Sequence, residues 1–209
     1  MGTTGNGKTR LTVQGLLPLW SRARVLILDV KGSDPELQVG VVRSDFPGRL
    51  IRERDDQGRR WYRVIVPKEI EKGRQVAYRC LARAYNERDW VVYCDEVVKL
   101  SRPRPEGYGL GAILDQYYLD GRYRPVTLIA GTQRPSNVPQ AVLDQPTHLY
   151  VGPLSDEYRA SRGGEVLGNR HLRDELRRLK KFDWLYRYTP NNSYEIVRYG
   201  ADHPGEPSP

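Results

Sequence analysis

The stretch Gly2-Thr3-Thr4-Gly5-Asn6-Gly7-Lys8-Thr9 decides the fold. It fits the spacing G-x-x-x-x-G-K-[ST], and each position has a physical reason. Glycines let successive backbone N–H groups curl around a phosphate with no Cβ in the way. The run then opens a helix, whose amino end attracts anions. Lys8 has the length to reach β- and γ-phosphates, and the Thr9 hydroxyl is placed to ligate Mg²⁺. All eight residues are therefore candidate nucleotide contacts, with Lys8 also a catalytic cation.

Downstream, apolar runs end in polar tips, as buried parallel strands do. "RVLILDVKG" (Arg24–Gly32) is one, and "WVVYCDE" ends in Asp95-Glu96. "PVTLIAGTQRP" stops near Thr132 and Gln133, and Thr147–Val151 is a fourth. Helical patterns fall at Arg10 to about Leu16, Glu69–Arg88, Leu110–Leu119 and Leu172–Leu179. Gly48–Arg54 and Trp61–Val66 read as a hairpin around the turn Asp55–Gly58, and residues 183–200 as a terminal hairpin. Alternation of strands and helices predicts an α/β fold with a mainly parallel central sheet flanked by helices. One domain is expected over 1–200, followed by a disordered Pro-rich tail at 201–209.

The strand tips carry the chemistry. Two carboxylates at the carboxyl end of a parallel strand lie where ligands bind. Asp95 suits holding Mg²⁺ through water, and Glu96 suits activating the attacking water. Gln133 can donate and accept, which suits sensing a γ-phosphate. The structural alternatives are a Gly-rich terminus, a solvated acidic turn and a plain strand exit. The three elements together outweigh them.

The set "GTTGNGKT", "LILDVKG", "VVYCDE" and "LIAGTQRP" resembles the FtsK/HerA superfamily of DNA-pumping ATPases, in order and spacing, from Gly2 to about Leu154. The resemblance implies a RecA-like P-loop NTPase core using ATP and Mg²⁺. It also implies a ring homo-oligomer, a hexamer in that family, acting on double-stranded DNA. An arginine commonly precedes that family's sensor strand and reaches into the neighbouring subunit. Arg122 is the favoured equivalent and Arg124 the second choice. Lys99, Arg102 and Arg104 follow the acidic pair and are candidate DNA contacts. The compact chain, without the extra domains of segregation motors, points to viral genome packaging, with capsid or portal-vertex proteins as further partners. A conjugation or segregation pump, a nucleotide-dependent morphogenesis switch and an inactive truncated ATPase are the competing readings.

Composition fits this picture without requiring it. Across 209 residues, 34 Lys and Arg oppose 26 Asp and Glu, for a net charge of +8. That balance tolerates a polyanion as partner. No apolar run approaches the ~18 residues of a membrane span, and the Gly/Thr-rich start does not read as a signal peptide. Cys80 and Cys94 have no metal-ligand spacing and are expected as free thiols. A cytoplasmic protein, in the host or carried by a virion, is expected.

One feature of the pattern conflicts with its function. In this fold a central strand runs into the phosphate loop, between the sensor strand and the last strand. Its residues would precede Gly2. The sheet is therefore expected to lack its first strand, and the chain to be N-terminally incomplete relative to the working enzyme.

Overall fold

The architecture comes from a computed structural model that describes residues 7–20, 22–32, 34–48, 51–133, 138, 140–154, 163–165 and 167–198. Its centre is β1 (Arg24–Asp29), in which every residue is buried. Burial on both faces explains why its sequence is continuously apolar rather than alternating. Leu26 and Leu28 face one layer, where Tyr62, Val92, Cys94 and the helix residues Cys80 and Leu81 pack. Val25 and Ile27 face the other, against Trp61, Tyr93, Val13 and Leu17.

Four further parallel strands extend the sheet: β2 (Val41–Arg43), β3 (Trp61–Ile65), β4 (Trp90–Cys94) and β5 (Val126–Ala130). The order is β2-β3-β1-β4-β5. α1 (Lys8–Arg10) continues as a wider coil over Leu11–Leu16 and a tight turn over Leu17–Trp20. The helical path thus outlasts its expected end. Pro18 falls where the wider coil gives way to the tight turn. The other helices are α2 (Ile70–Glu87), α3 (Val97–Ser101), α4 (Gly111–Leu119), α5 (Gln140–Asp144) and α6 (Arg173–Arg178). In α6 Leu176 is buried, while Arg177 and Arg178 are exposed. That is an amphipathic face over a leucine stripe, as the pattern predicts.

A second sheet is antiparallel, in the order β6-β7-β8, from β6 (His148–Val151), β7 (Asp183–Tyr188) and β8 (Ser193–Arg198). The terminal hairpin is thus present and gains β6 as a third strand.

The expected hairpin over 48–66 is a correction. The turn exists, with the Gly58 N–H bonded to the Asp55 carbonyl at 2.8 Å. Residues 51–54, however, form no strand. β3 instead pairs in parallel with β2, three residues whose brevity hides them in sequence. Tyr62 explains why residues 51–54 stay close: its hydroxyl donates to the Glu53 carbonyl at 2.8 Å. The tail at 201–209 lies outside the described residues.

Both cysteines are buried and free, and burial pushes the Cys80 thiol up to about 12. Among the described residues, no helix is long and apolar enough to cross a membrane.

Leu28 is fully buried in the larger core. Leu28→Ala is expected to cost about 2–5 kcal/mol, read as a lower urea midpoint with unchanged slope.

Candidate active site

Parallel strands bring their carboxyl ends to one edge, so β1, β4 and β5 deliver Asp29, Asp95-Glu96 and Thr132-Gln133 to the same side of the sheet. The first helix arrives there as well. Lys8 is almost wholly buried, and its Nζ donates to the Asp95 backbone carbonyl at 2.8 Å. This single bond joins the end of the phosphate loop to the acidic strand tip. Burial lowers the Lys8 pKa to about 8, aided by the charge of Lys31 and opposed by Glu96 and Asp95.

Asp95 is also buried. Its Oδ1 accepts from the Val30 N–H at 3.0 Å, while its Oδ2 is buried with no hydrogen-bond partner among the described residues. Burial raises its pKa to about 6, against the Val30 N–H and the charges of Lys31 and Lys8. Asp29 is turned into its own loop, its Oδ1 accepting from the Gly32 N–H at 2.6 Å. The "DVKG" segment thereby wraps the acidic tip from one side.

β5 closes the other side. The Gly131 N–H donates to the Cys94 carbonyl at 2.7 Å, and the Gly131 carbonyl accepts from the Val97 N–H at 2.9 Å. A Cβ on Gly131 would lie 2.9 Å from the Asp95 carbonyl oxygen, the atom that Lys8 uses. Glycine is therefore required by close approach. Thr132 Oγ1 donates to Glu96 Oε1 at 3.0 Å and fixes that half-exposed carboxylate. Gln133 follows directly and is half-exposed.

Two contributors were not legible beforehand. Thr9 Oγ1 donates to Asp34 Oδ2 at 2.6 Å, so Asp34 governs the hydroxyl assigned to the metal. Phe182, at the entry to β7, packs on Gly7: a Cβ there would lie 2.5 Å from the ring. Gly7 also has φ +77°, so it is glycine on two grounds. Gly2, Thr3, Thr4, Gly5 and Asn6 lie outside the described residues.

The donor set fits Mg²⁺. Thr9, Asp34 and Asp95 offer hard oxygen atoms, and Asp95 Oδ2 is a buried carboxylate oxygen without a partner among the described residues. Among the described residues no three His, Cys, Asp or Glu side chains converge. Mg²⁺ needs no such cluster where one or two carboxylates and substrate phosphates hold it.

The proposed DNA contacts are occupied within the chain. Arg102 pairs with Glu106 at 3.0 Å and Arg104 with Glu71 at 2.7 Å, while Lys99 Nζ donates to the Glu106 carbonyl at 3.2 Å. Arg122 lies in the turn Gly121–Tyr123 before β5, and its side chain is outside the described residues. Arg124 sits over the Tyr85 ring, 4.6 Å from its centroid. From Arg124 to Thr132 is eight residues of nearly straight strand, roughly 26 Å at the usual rise. Arg124 therefore stands at the end of the sheet away from Lys8 in its own chain.

No protein-family profile matches the sequence, and no curated protein matches it significantly. Solved structures do match. The genome-packaging NTPase B204 of Sulfolobus turreted icosahedral virus 2, in complex with sulfate, superposes with TM-score 0.70 at 15% identity. The match covers 97% of this chain and 95% of that one. This chain has the fold of a viral genome-packaging NTPase. The pCW3 conjugation coupling protein TcpA, solved with ATPγS, gives TM-score 0.61 at 15% identity over 94% of this chain and 58% of its own. EssC of Geobacillus thermodenitrificans gives 0.53 at 16% identity over 90% and 36%. These structures share the fold that the motifs predict, a mainly parallel sheet flanked by helices.

Lys8 sets a pH dependence. Its folded pKa lies below its unfolded value, so the nucleotide-free protein gains stability as pH rises from about 8, where only the unfolded chain still holds the proton. Phosphate binding requires the ammonium form. ATP affinity is therefore expected to fall about tenfold per pH unit above pH 8, with proton uptake on binding. Calorimetry in buffers of different ionisation enthalpy measures the uptake, and Lys8→Arg abolishes it, because arginine does not titrate there.

Proposed function

We propose that this protein is a Mg²⁺-dependent ATPase of the FtsK/HerA type that drives duplex DNA, as the packaging motor of a virus. The observation that carries the reading is the Lys8–Asp95 contact, which assembles the phosphate loop, the acidic pair and the β5 tip into one site. The fold shared with B204 over nearly both whole chains supports the packaging setting.

In this reading the Gly2–Thr9 loop cradles the phosphates and Lys8 turns from the Asp95 carbonyl to the β- and γ-oxygens. Thr9 and Asp95, with Asp34 behind Thr9, would hold Mg²⁺, which would offset the negative charge of the phosphates. Glu96 takes a proton from water as the water oxygen bonds to the γ-phosphorus and the bond to ADP breaks. Thr132 holds Glu96 in place, and Gln133 contacts the γ-phosphate or the water. Because β5 carries its preceding arginines away from the chain's own site, they act on a neighbour's nucleotide or not at all. We assign the arginine in trans to Arg122, since Arg124 is engaged with Tyr85. This makes a ring, a hexamer by resemblance, the working form. Arg102, Arg104 and Lys99 are the DNA-facing group, exchanging their internal partners for backbone phosphates. Portal or capsid proteins would anchor the ring in the host cytoplasm or virion.

Hydrolysis should rise on adding duplex DNA. Lys8→Ala should abolish nucleotide binding, and Glu96→Gln should bind ATP but slow turnover by roughly 10²–10⁴-fold. Hydrolysis that survives either change contradicts the assignment. Arg122→Ala should leave ATP binding intact and lower turnover by roughly 10³-fold or more. Mixing Arg122→Ala with Glu96→Gln subunits should restore activity, because mixed rings contain some sites with both groups intact. Absence of rescue contradicts action in trans.

A further inference from the structure

At the edge of the parallel sheet away from Lys8, the amino ends of the strands surround a pocket of about 640 Å³. Four arginines line it: Arg22 shortly before β1, Arg24 at the first residue of β1, Arg60 just before β3 and Arg124 shortly before β5. Asp89, just before β4, is the one acid among its described lining residues. Arg24 belongs to the frame of the pocket. It is almost fully buried, its Nη2 donates to the Arg88 carbonyl at 3.0 Å, and its Nη1 lies 3.8 Å from the Glu87 carboxylate. Its guanidinium lies over Trp90, 4.7 Å from the ring centroid. The carbonyl it holds belongs to a strained connector. Arg88 has φ 60° and ψ 176°, and Asp89 has φ 56°, although neither is glycine. Such backbone persists only where its surroundings fix it. Arg24 fixes Arg88, and the Asp89 N–H, donated to the Pro125 carbonyl at 2.6 Å, fixes the next residue. The amino ends of β1, β4 and β5 are thereby tied into one floor.

The other three arginines keep their charge for something else. Among the described residues, no ion pair joins Arg22, Arg60 or Arg124 to an acid. Arg60 Nη2 donates to the Arg22 carbonyl at 2.7 Å, and Arg22 itself is exposed. Arg124 rests on the Tyr85 ring, a contact that occupies the face of the guanidinium and not its in-plane N–H donors. Arg102 and Arg104 differ, since Glu106 and Glu71 already meet their charges. A guanidinium fork suits phosphate and carboxylate oxygens alike. Charge and space decide between them. Four arginines against one aspartate call for an anion with several charges close together. Linked phosphates concentrate charge and acceptor oxygens in a small volume, whereas carboxylates on a peptide bring a backbone with them.

We propose that this pocket binds linked phosphate groups, those of a nucleic-acid backbone or of an inorganic polyphosphate chain. Arg22, Arg60 and Arg124 contact the anion, and Arg24 is a positioning residue that holds the floor beneath it. The site rests on the pocket's own charge and holds or fails independently of hydrolysis at Lys8.

The test uses the full chain carrying Lys8→Ala, so that the phosphate loop does not compete for anions. Isothermal titration with tripolyphosphate at low salt is expected to show saturable binding. Arg60→Gln and Arg22→Gln, made separately, should each weaken it about tenfold. Arg22 is exposed, so its substitution keeps the test decisive if Arg60→Gln fails to fold. Arg178→Gln, at an exposed arginine of α6, should change nothing. A short DNA duplex that displaces tripolyphosphate identifies a nucleic-acid backbone as the source, and a duplex without effect identifies a free polyphosphate; either result supports the site. Absence of saturable binding, binding that neither Arg22→Gln nor Arg60→Gln weakens, or tighter binding of a tetraglutamate peptide than of tripolyphosphate overturns it.

Discussion

A buried ammonium bonded to a backbone carbonyl holds the site together. Lys8 gives up hydration to reach the Asp95 carbonyl, and the lowering of its pKa records that loss. Nearby, Asp95 is buried with one oxygen satisfied and one not. Each group in isolation would be better off in water. They tolerate burial because β1, β4 and β5 place them close to each other and to Lys31. In the proposed reading, a phosphate would give the ammonium a counter-charge and Mg²⁺ would do the same for the carboxylate.

The same geometry makes the site a product of three strand tips rather than of one motif. Gly131 permits the closest approach, Thr132 aims Glu96, and Asp34 controls Thr9. Phe182 on Gly7 ties the second sheet to the loop, so the two sheets share the phosphate site although no described strand bridges them. The loop is thereby held on its helical side by the Phe182 ring packed on Gly7.

Much of the fold was legible because its central strands are buried on both faces. β1, β4 and β5 appear as unbroken apolar runs ending at polar tips, and no surface periodicity competes with that signal. Asp95, Glu96 and Thr132 could be placed at one edge of the sheet for the same reason, since they sit where those runs stop, whereas Lys8 was marked by the glycine-rich spacing before it. The segment 48–66 misled because a real turn at Asp55–Gly58 stands before a real strand, which is how a hairpin looks. The true partner, Val41–Arg43, is too short to carry a pattern. Asp34 and Phe182 left no trace, since each reaches the site from a loop distant in sequence, with no periodicity to mark it. Lys99, Arg102 and Arg104 looked like free cations because sequence does not display the acids that fold against them.

The central claim is that Lys8 and the acidic tip are two halves of one nucleotide site. A crystal structure with Mg²⁺ and a non-hydrolysable ATP analogue tests it most directly. The account predicts that Lys8 Nζ leaves the Asp95 carbonyl for the β- and γ-phosphate oxygens, with the metal held from Thr9 and Asp95. A nucleotide bound elsewhere, or Lys8 still on the carbonyl with the phosphates out of its reach, would contradict it.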